Sequence, residues 1–277
     1  MTHKKRRIDH LVLIVQDLDG AADFYRKLGF TVGSRNRHPW GTENYVIQLG
    51  SSFLELITVT AQDGISEHTP ERFSFGAFVR DYQAQGEGLG MLVLDSDNAE
   101  VDAKHYAQSA IGSFEPFSFE RKGTAADGSE THVAFSLAFA VDERLPNCSF
   151  FVCQQHFPEA FWSPKLQQHA NGARNVASVR LAVELPEEHE KFLSAYSGVA
   201  STQNGMHYPL AEGGDIDVDV SAIVNGFTGY SVSVAKLGTV RQLLGSNGVP
   251  YIEDDGRIII KSRQGYGAQI EFVRQKR

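Results

Sequence analysis

A histidine and a glutamate stand where aliphatic side chains would be expected. His10 is third in the strand-like run IDHLVLIV, Ile8 to Val15, and Glu55 sits inside FLELITV, Phe53 to Val59. Burying an imidazole or a carboxylate without a partner is costly, so each needs a hydrogen bond, a metal or a cavity to face. A strand histidine is commonly a hydrogen-bonded core residue, and a glutamate near a strand end is commonly wet. Finding both at matched strands is what suggests chemistry. An imidazole nitrogen and a carboxylate oxygen, with water completing the shell, suit Zn, Mn, Fe, Co or Ni as divalent ions.

Two further clusters accompany this pair. RHPWGTEN, Arg37 to Asn44, places His38, Trp40, Thr42 and Asn44 on a loop entering a strand. Such a loop reads either as a pocket wall or as a turn stiffened by Pro39 and Gly41. HFPEAFWSPKLQQHANGA supplies His156, Trp162, His169 and Asn171. It reads as a lid over a cup, or as a connector whose aromatics pack between domains. The glycines of QAQGEGLGML lead into a strand and not a helix, so this stretch fails as a phosphate loop and reads as a linker. No nucleophile-elbow, metalloprotease or cysteine-pair zinc motif occurs.

The elements that must position these residues recur along the chain. HLVLIVQD at His10 lines up with MLVLDSDN at Met91, and in that register Tyr25 falls on Tyr106. Asp17 and Asp19 in the first copy, and Asp97 and Asn98 in the second, precede helical patterns as N-caps do. Strands are expected over Phe30–Ser34, Glu43–Leu49 and Phe53–Val59, then over Phe114–Arg121, Thr131–Val141 and from Cys148. Two shorter copies follow, with Phe192 in the place of Phe24 and Glu271 on the last strand. The fold class is therefore α+β, four βαβββ modules paired into open, cup-shaped barrels. The expected division is a domain over 6–157, a linker over 158–175 and a more degenerate domain over 176–277. In such a unit the first and fourth strands are neighbours, which brings His10 and Glu55 to one cup.

With 277 residues, 42% hydrophobic and 22% charged, the chain can bury a core of one large domain or two ordinary ones. Its net charge of −8 argues against nucleic acid as partner, and the Lys4–Arg7 run reads as a solvated tail. No stretch is long enough to span a bilayer, and the N-terminus lacks an apolar signal region. Cys148 and Cys153 lie at odd separation in one strand and face opposite ways, so no disulfide is expected and the cytoplasm is the expected location.

IDHLVLIVQDLDGAADFYRKLGF and FLELITV resemble the vicinal oxygen chelate superfamily, which includes glyoxalase I and the extradiol dioxygenases. RHPWGTENYVIQLGSSFLELITV and CQQHFPEAFWSPKLQQHANGA resemble its large glyoxalase-like branch. The likeness covers about residues 6–185. It implies paired modules and a divalent metal, with His10 and Glu55 at the metal-ligand positions. The position matching His10 in the second module is Met91, and that matching Glu55 falls near Cys153. The third ligand then falls to His156, with Gln155 as the alternative. In the C-terminal pair the first-strand equivalents are Ser178 and Gly229 or Ser231, so a C-terminal iron centre of the dioxygenase kind is disfavoured. The expectation is a metal-assisted isomerase or lyase that polarises a carbonyl of a small oxygenated metabolite and stabilises an enediolate. Glu55 or His38 would shuttle the proton, and Trp40, Thr42, Asn44, Phe53, Trp162, His169 and Asn171 would contact the small-molecule substrate. Alternatives are a metal-free sequestering protein of the resistance type, favoured by Trp40, Phe53 and Trp162, and a ring-cleaving dioxygenase. A degenerate C-terminal pair could serve as a homodimer surface.

Overall fold

A computed structural model describes residues 5–124 and 130–275. Strand β1 (Ile8–Ile14) leads to α1 (Leu18–Lys27), where the Asp17 carboxylate accepts from the Gly20 N–H as N-cap. Strands β2 (Asn36–Arg37), β3 (Thr42–Gln48) and β4 (Phe53–Val59) complete the first module. The strand expected over Phe30–Ser34 does not form. Phe30 instead bonds back to the Tyr25 carbonyl, and Gly33 is held to Val46 by a single bond rather than a ladder. An unanticipated helix, α2 (Phe75–Gln85), follows, with the Ser74 side chain accepting from the Ala77 N–H.

The second module comprises β5 (Gly88–Asp95), α3 (Ala99–Gln108), β6 (Phe117–Thr124), β7 (Glu130–Ala140) and β8 (Ser149–Gln155). Asn98 caps α3 through the Val101 N–H. A one-turn helix, α4 (Pro158–Phe161), lies in the connector, and β9 (Ala173–Val183) already begins within the stretch read as linker. The third module continues with α5 (Pro186–Ser197), β10 (His207–Pro209) and β11 (Asp215–Val220), so it keeps two strands after its helix instead of three. The fourth has β12 (Gly226–Val234), α6 (Leu237–Ser246), β13 (Ile252–Asp254), β14 (Arg257–Ile260) and β15 (Gln269–Arg274).

These strands form two sheets, ordered β2-β3-β4-β1-β5-β8-β7-β6 and β10-β11-β9-β12-β15-β14-β13. Within each module the first strand runs parallel to the last, as β1 does to β4 and β5 to β8. Paired modules meet through their antiparallel first strands, β1 with β5 and β9 with β12. Strand alternation sorts the side chains into two cores. Leu11, Leu13, Leu54, Leu56, Leu92 and Leu94 join α1, α3 and α5 and the second sheet in a single core. The helices bridge the sheets there: the Tyr25 hydroxyl meets that of Tyr230 at 2.7 Å, and the Tyr196 hydroxyl lies 2.7 Å from the Leu92 carbonyl. The opposite faces of β1, β4, β5 and β8, with Val12, Ile57, Met91, Val93 and Phe151, build a second core under the first cup. Cys148 and Cys153 fall in different cores and both thiols are free. Among the described residues no helix is long and apolar enough to cross a membrane.

The second sheet treats its own strand glutamate differently from the first. Glu271 is only 2% exposed, and its carboxylate accepts from Gln269 at 2.7 Å and from Arg180 and Arg257 at 3.3 Å each. Side chains therefore surround the counterpart of Glu55 with an ion-paired cluster.

Candidate functional site

The first sheet curls around a cavity of about 460 Å³. Eight tryptophan and phenylalanine side chains line it: Trp40 from the β2–β3 turn, Phe53 from β4, Phe75 from α2, Phe117 and Phe119 from β6, Phe135 from β7, Phe151 from β8 and Phe161 from α4. Among the polar side chains of this lining are His10, His38 and Glu55. The register explains the first and last: His10 pairs with Phe53 and Val12 with Glu55 across the parallel β1–β4 ladder, so both polar residues fall on the cup face.

His10 is held on three sides. Its ring stacks on Phe53 at 4.2 Å, meets the edge of Phe151 at 5.6 Å, and turns Nδ1 toward the Asp9 carboxylate at 3.4 Å. Neighbours in a strand normally point to opposite faces. Here the β1–β5 register slips between Ile8 and His10, a bulge at Asp9 that lets the two side chains meet. Asp9 is fully buried and accepts from Gln155 Nε2 at 2.7 and 3.0 Å, with Arg7 at 3.8 Å. Among the described residues nothing bonds His10 Nε2, which leaves that nitrogen for a bound molecule.

Glu55 is fixed by a chain of amides. Asn44 Nδ2 donates to Glu55 Oε1 at 2.5 Å, Asn36 Nδ2 donates to Asn44 Oδ1 at 3.1 Å, and Arg121 Nη1 donates to Asn36 Oδ1 at 2.8 Å. This chain crosses from β4 to β3 to β2 and then to β6, joining the two edge strands of the sheet at the cup's mouth. His38 stands beside it, stacked on Trp40 at 4.6 Å, with Nδ1 2.8 Å from Thr42 Oγ1 and Nε2 3.4 Å from the Asn44 amide. The amide hydrogens make Nε2 the acceptor, so Nδ1 carries the proton to Thr42. Burial holds the His38 pKa below the ordinary value, with Arg121 adding to the depression and Glu55 opposing it.

A stability prediction follows from that shift. Between the depressed folded-state pKa and the ordinary histidine value of 6.5, the unfolded chain binds a proton that folded His38 refuses. Stability therefore rises with pH through that window and falls as pH drops through it. His38→Gln will flatten part of the slope in urea unfolding measured from about pH 5 to 8. His68 and His169, shifted the same way by burial, keep the remainder. An unchanged slope would show that His38 titrates as it does in the unfolded chain.

Of the residues singled out from sequence, the cavity brings together His10, His38, Trp40, Asn44, Phe53 and Glu55. Thr42 is buried behind them and holds His38. The others go elsewhere. His156 follows the end of β8, and its Nε2 is 2.8 Å from Ser136 Oγ, on the face of β7 opposite to Phe135 and Leu137, so it cannot reach the cup. Gln155 is engaged by Asp9 and accepts from Trp162 Nε1 at 3.1 Å, outside the main cavity. His169 accepts from the Thr31 N–H and donates to the Gln48 carbonyl. Asn171 is fully buried, donating to the Leu28 carbonyl and accepting from the Ala173 N–H. Of the connector, Phe161 lines the cavity, while Trp162, His169 and Asn171 pack and cap outside it.

The three-ligand set of His10, Glu55 and His156 is accordingly not assembled, and among the described residues no three His, Cys, Asp or Glu side chains are grouped to hold a metal. Two donors fall short of the three protein ligands that catalytic zinc sites use. Cys153 lines the cavity, and burial with the nearby charges of Asp9 and Glu55 pushes its thiol pKa well above the usual range, which keeps it from acting as a free thiolate nucleophile.

Residues 8–197 match a family profile described as a glyoxalase-like domain. Over 98% of its length the chain superposes on all of a hypothetical protein from Staphylococcus aureus, with a TM-score of 0.68 at 12% identity. A mutant of 4-hydroxymandelate synthase from Streptomyces coelicolor aligns over 99% of this chain and 95% of its own, with a TM-score of 0.59 at 12% identity. The 2,3-dioxygenase LapB from Pseudomonas sp. KL28 aligns over 100% and 94%, with a TM-score of 0.60 at 11% identity. At these identities the likeness is one of fold. No curated protein sequence matches the chain.

Proposed function

Since this chain belongs to the glyoxalase-like domain family, with the vicinal oxygen chelate fold, we propose that its first cup binds a small, flat, mainly apolar molecule carrying a carbonyl or hydroxyl oxygen and moves a proton on it, as an isomerase or lyase does. The observation that supports this most is the convergence of His10 and Glu55 on one wall of a cavity to which eight phenylalanine and tryptophan rings contribute. Aromatic walls supply apolar area and stacking for a planar ligand, and the few polar groups fix its orientation.

In this reading His10 Nε2 is the base that takes a proton from the carbon beside the ligand's carbonyl. Asp9 behind Nδ1 fixes the tautomer and stabilises the imidazolium that forms. Glu55, oriented by Asn44, is the second proton-transfer group, and His38 holds the Asn44 amide in place. The two-donor wall does not fit a resident metal held by three protein ligands, so no step is routed through one. A metal-free sequestering role is the second reading, favoured by the largely aromatic lining.

A panel of aryl ketones tests both. Compounds that raise the melting temperature are incubated in D2O, and exchange at the carbon beside the carbonyl is followed by NMR. The proton-transfer reading expects exchange in the wild type, lost in His10→Ala and Glu55→Gln while binding persists. Binding without exchange would leave only sequestration. A panel that binds nowhere would sink both readings. Elemental analysis of tag-free protein is expected to give well under one equivalent of transition metal, unchanged by His10→Ala. A full equivalent lost in that variant would restore the metal-assisted route.

A further inference from the structure

Building on the reading of the cup as an aromatic-ligand site, we propose that its ligand is a planar aromatic anion, docked with its anionic oxygens on Arg121 at the mouth and its opposite end against His10 and Glu55.

Arg121 lies on β6 in alternation with Phe117 and Phe119, so the three share the cup face, and it lines the cavity's rim. Among the described residues its guanidinium makes one hydrogen bond, from Nη1 to Asn36 Oδ1, an uncharged acceptor. Among the described residues it has no carboxylate partner. The other charges at the mouth are occupied. Arg37 donates to Glu43 at 2.7 Å, and Glu120 faces His132 at 2.8 Å. A guanidinium held by a neutral amide keeps its remaining donors in a planar fork suited to a carboxylate or phenolate oxygen.

The inner wall carries the opposite sign. The Glu55 carboxylate repels an anion entering that way round, while Arg121 attracts it at the rim, so one orientation is favoured by both terms. That orientation brings the uncharged end of the ligand to His10 Nε2. Trp40 contributes a ring face to the wall, its indole N–H being buried without an acceptor among the described residues. The chain's net charge of −8 provides no general attraction for anions, so selectivity must be local.

The test compares 2-naphthoate with its neutral isostere 2-naphthylmethanol by isothermal titration calorimetry. Wild type is expected to bind the anion about tenfold tighter at low ionic strength, with the ratio shrinking as salt is raised. Arg121→Gln should bring the ratio to about one through loss of affinity for the anion alone, Arg121→Lys should keep most of it, and Arg121→Glu should invert it. Arg241→Gln, which removes an exposed charge from the second sheet's helix α6, should leave it untouched. Equal binding of the two probes in wild type, or a preference that survives Arg121→Gln, would overturn the assignment while leaving the aromatic cup standing. If neither probe binds, the cup reading itself fails and this assignment with it.

Discussion

Phe53→Ala will cost the protein roughly 3 kcal/mol of stability and at the same time release the imidazole of His10. The stability loss comes from a phenyl ring that is buried and touches His10, Phe161 and Trp162 at once. The functional loss comes from one of those contacts: the ring that stacks on His10 at 4.2 Å is what keeps Nε2 aimed into the cup. Phe53→Leu separates the two effects. It should recover more than half of the stability, measured by urea unfolding, because volume is largely conserved. It should not recover ligand affinity, because the flat surface for the imidazole is gone. Full recovery of both by leucine would mean that the stacking is incidental to the site.

Asp102→Ala should have an effect of similar or greater size, about 3–5 kcal/mol, without touching the cup. Arg6 enters the protein just before β1, 8% exposed, and Asp102 of α3 receives it, 5% exposed, through Nη2 at 2.6 Å and Nη1 at 3.2 Å. Removing the carboxylate strands a buried guanidinium whose remaining bond is to the Asp95 carbonyl at 2.9 Å. The double variant Arg6→Met/Asp102→Leu is expected to regain most of the loss, since it removes both charges and fills the volume. A cost below about 1 kcal/mol for Asp102→Ala would place the pair among the solvent-screened surface bridges.

How much of this was legible in the sequence depends on whether the signal was local. β1 and β4 were readable because unbroken aliphatic runs mark buried strands, and within them His10 and Glu55 stand out as polar residues needing a reason. The RHPWGTEN segment proved to be both a turn and a pocket wall. Gly41 takes φ +84°, and its carbonyl accepts from Thr60 and Ala61, while His38, Trp40 and Asn44 line the cavity. The phenylalanines of β6 and β7 were missed, although FSF and AFSLAF alternate with period two and that alternation marks a single face. Helix α2 was missed although Ser74 caps its start and Gly86 its end, because that glycine was read together with Gly88 and Gly90 as a linker. Asp9 was not legible, because a bulge that turns two sequence neighbours toward each other depends on the register with β5. Arg121 and Asn36 are 85 residues apart, and their contact exists only once the sheet has curled. His156 failed for a local reason: its odd separation from Cys153 puts it on the other face of the strand, and the end of β8 at Gln155 does not turn it back toward the cup.

The way the first sheet closes has a kinetic consequence. Among the described residues its edge strands, β2 and β6, share no backbone ladder and meet through the side-chain hydrogen bond from Arg121 to Asn36. Parting a ladder would require several bonds to break together, whereas one exposed side-chain pair exchanges on the picosecond-to-nanosecond timescale of rotamer motion. Entry and exit therefore need no local unfolding of the sheet. How long a molecule stays is set by its own contacts with the rings inside and not by a gate, so residence time should track affinity across a ligand series while the association rate stays nearly constant.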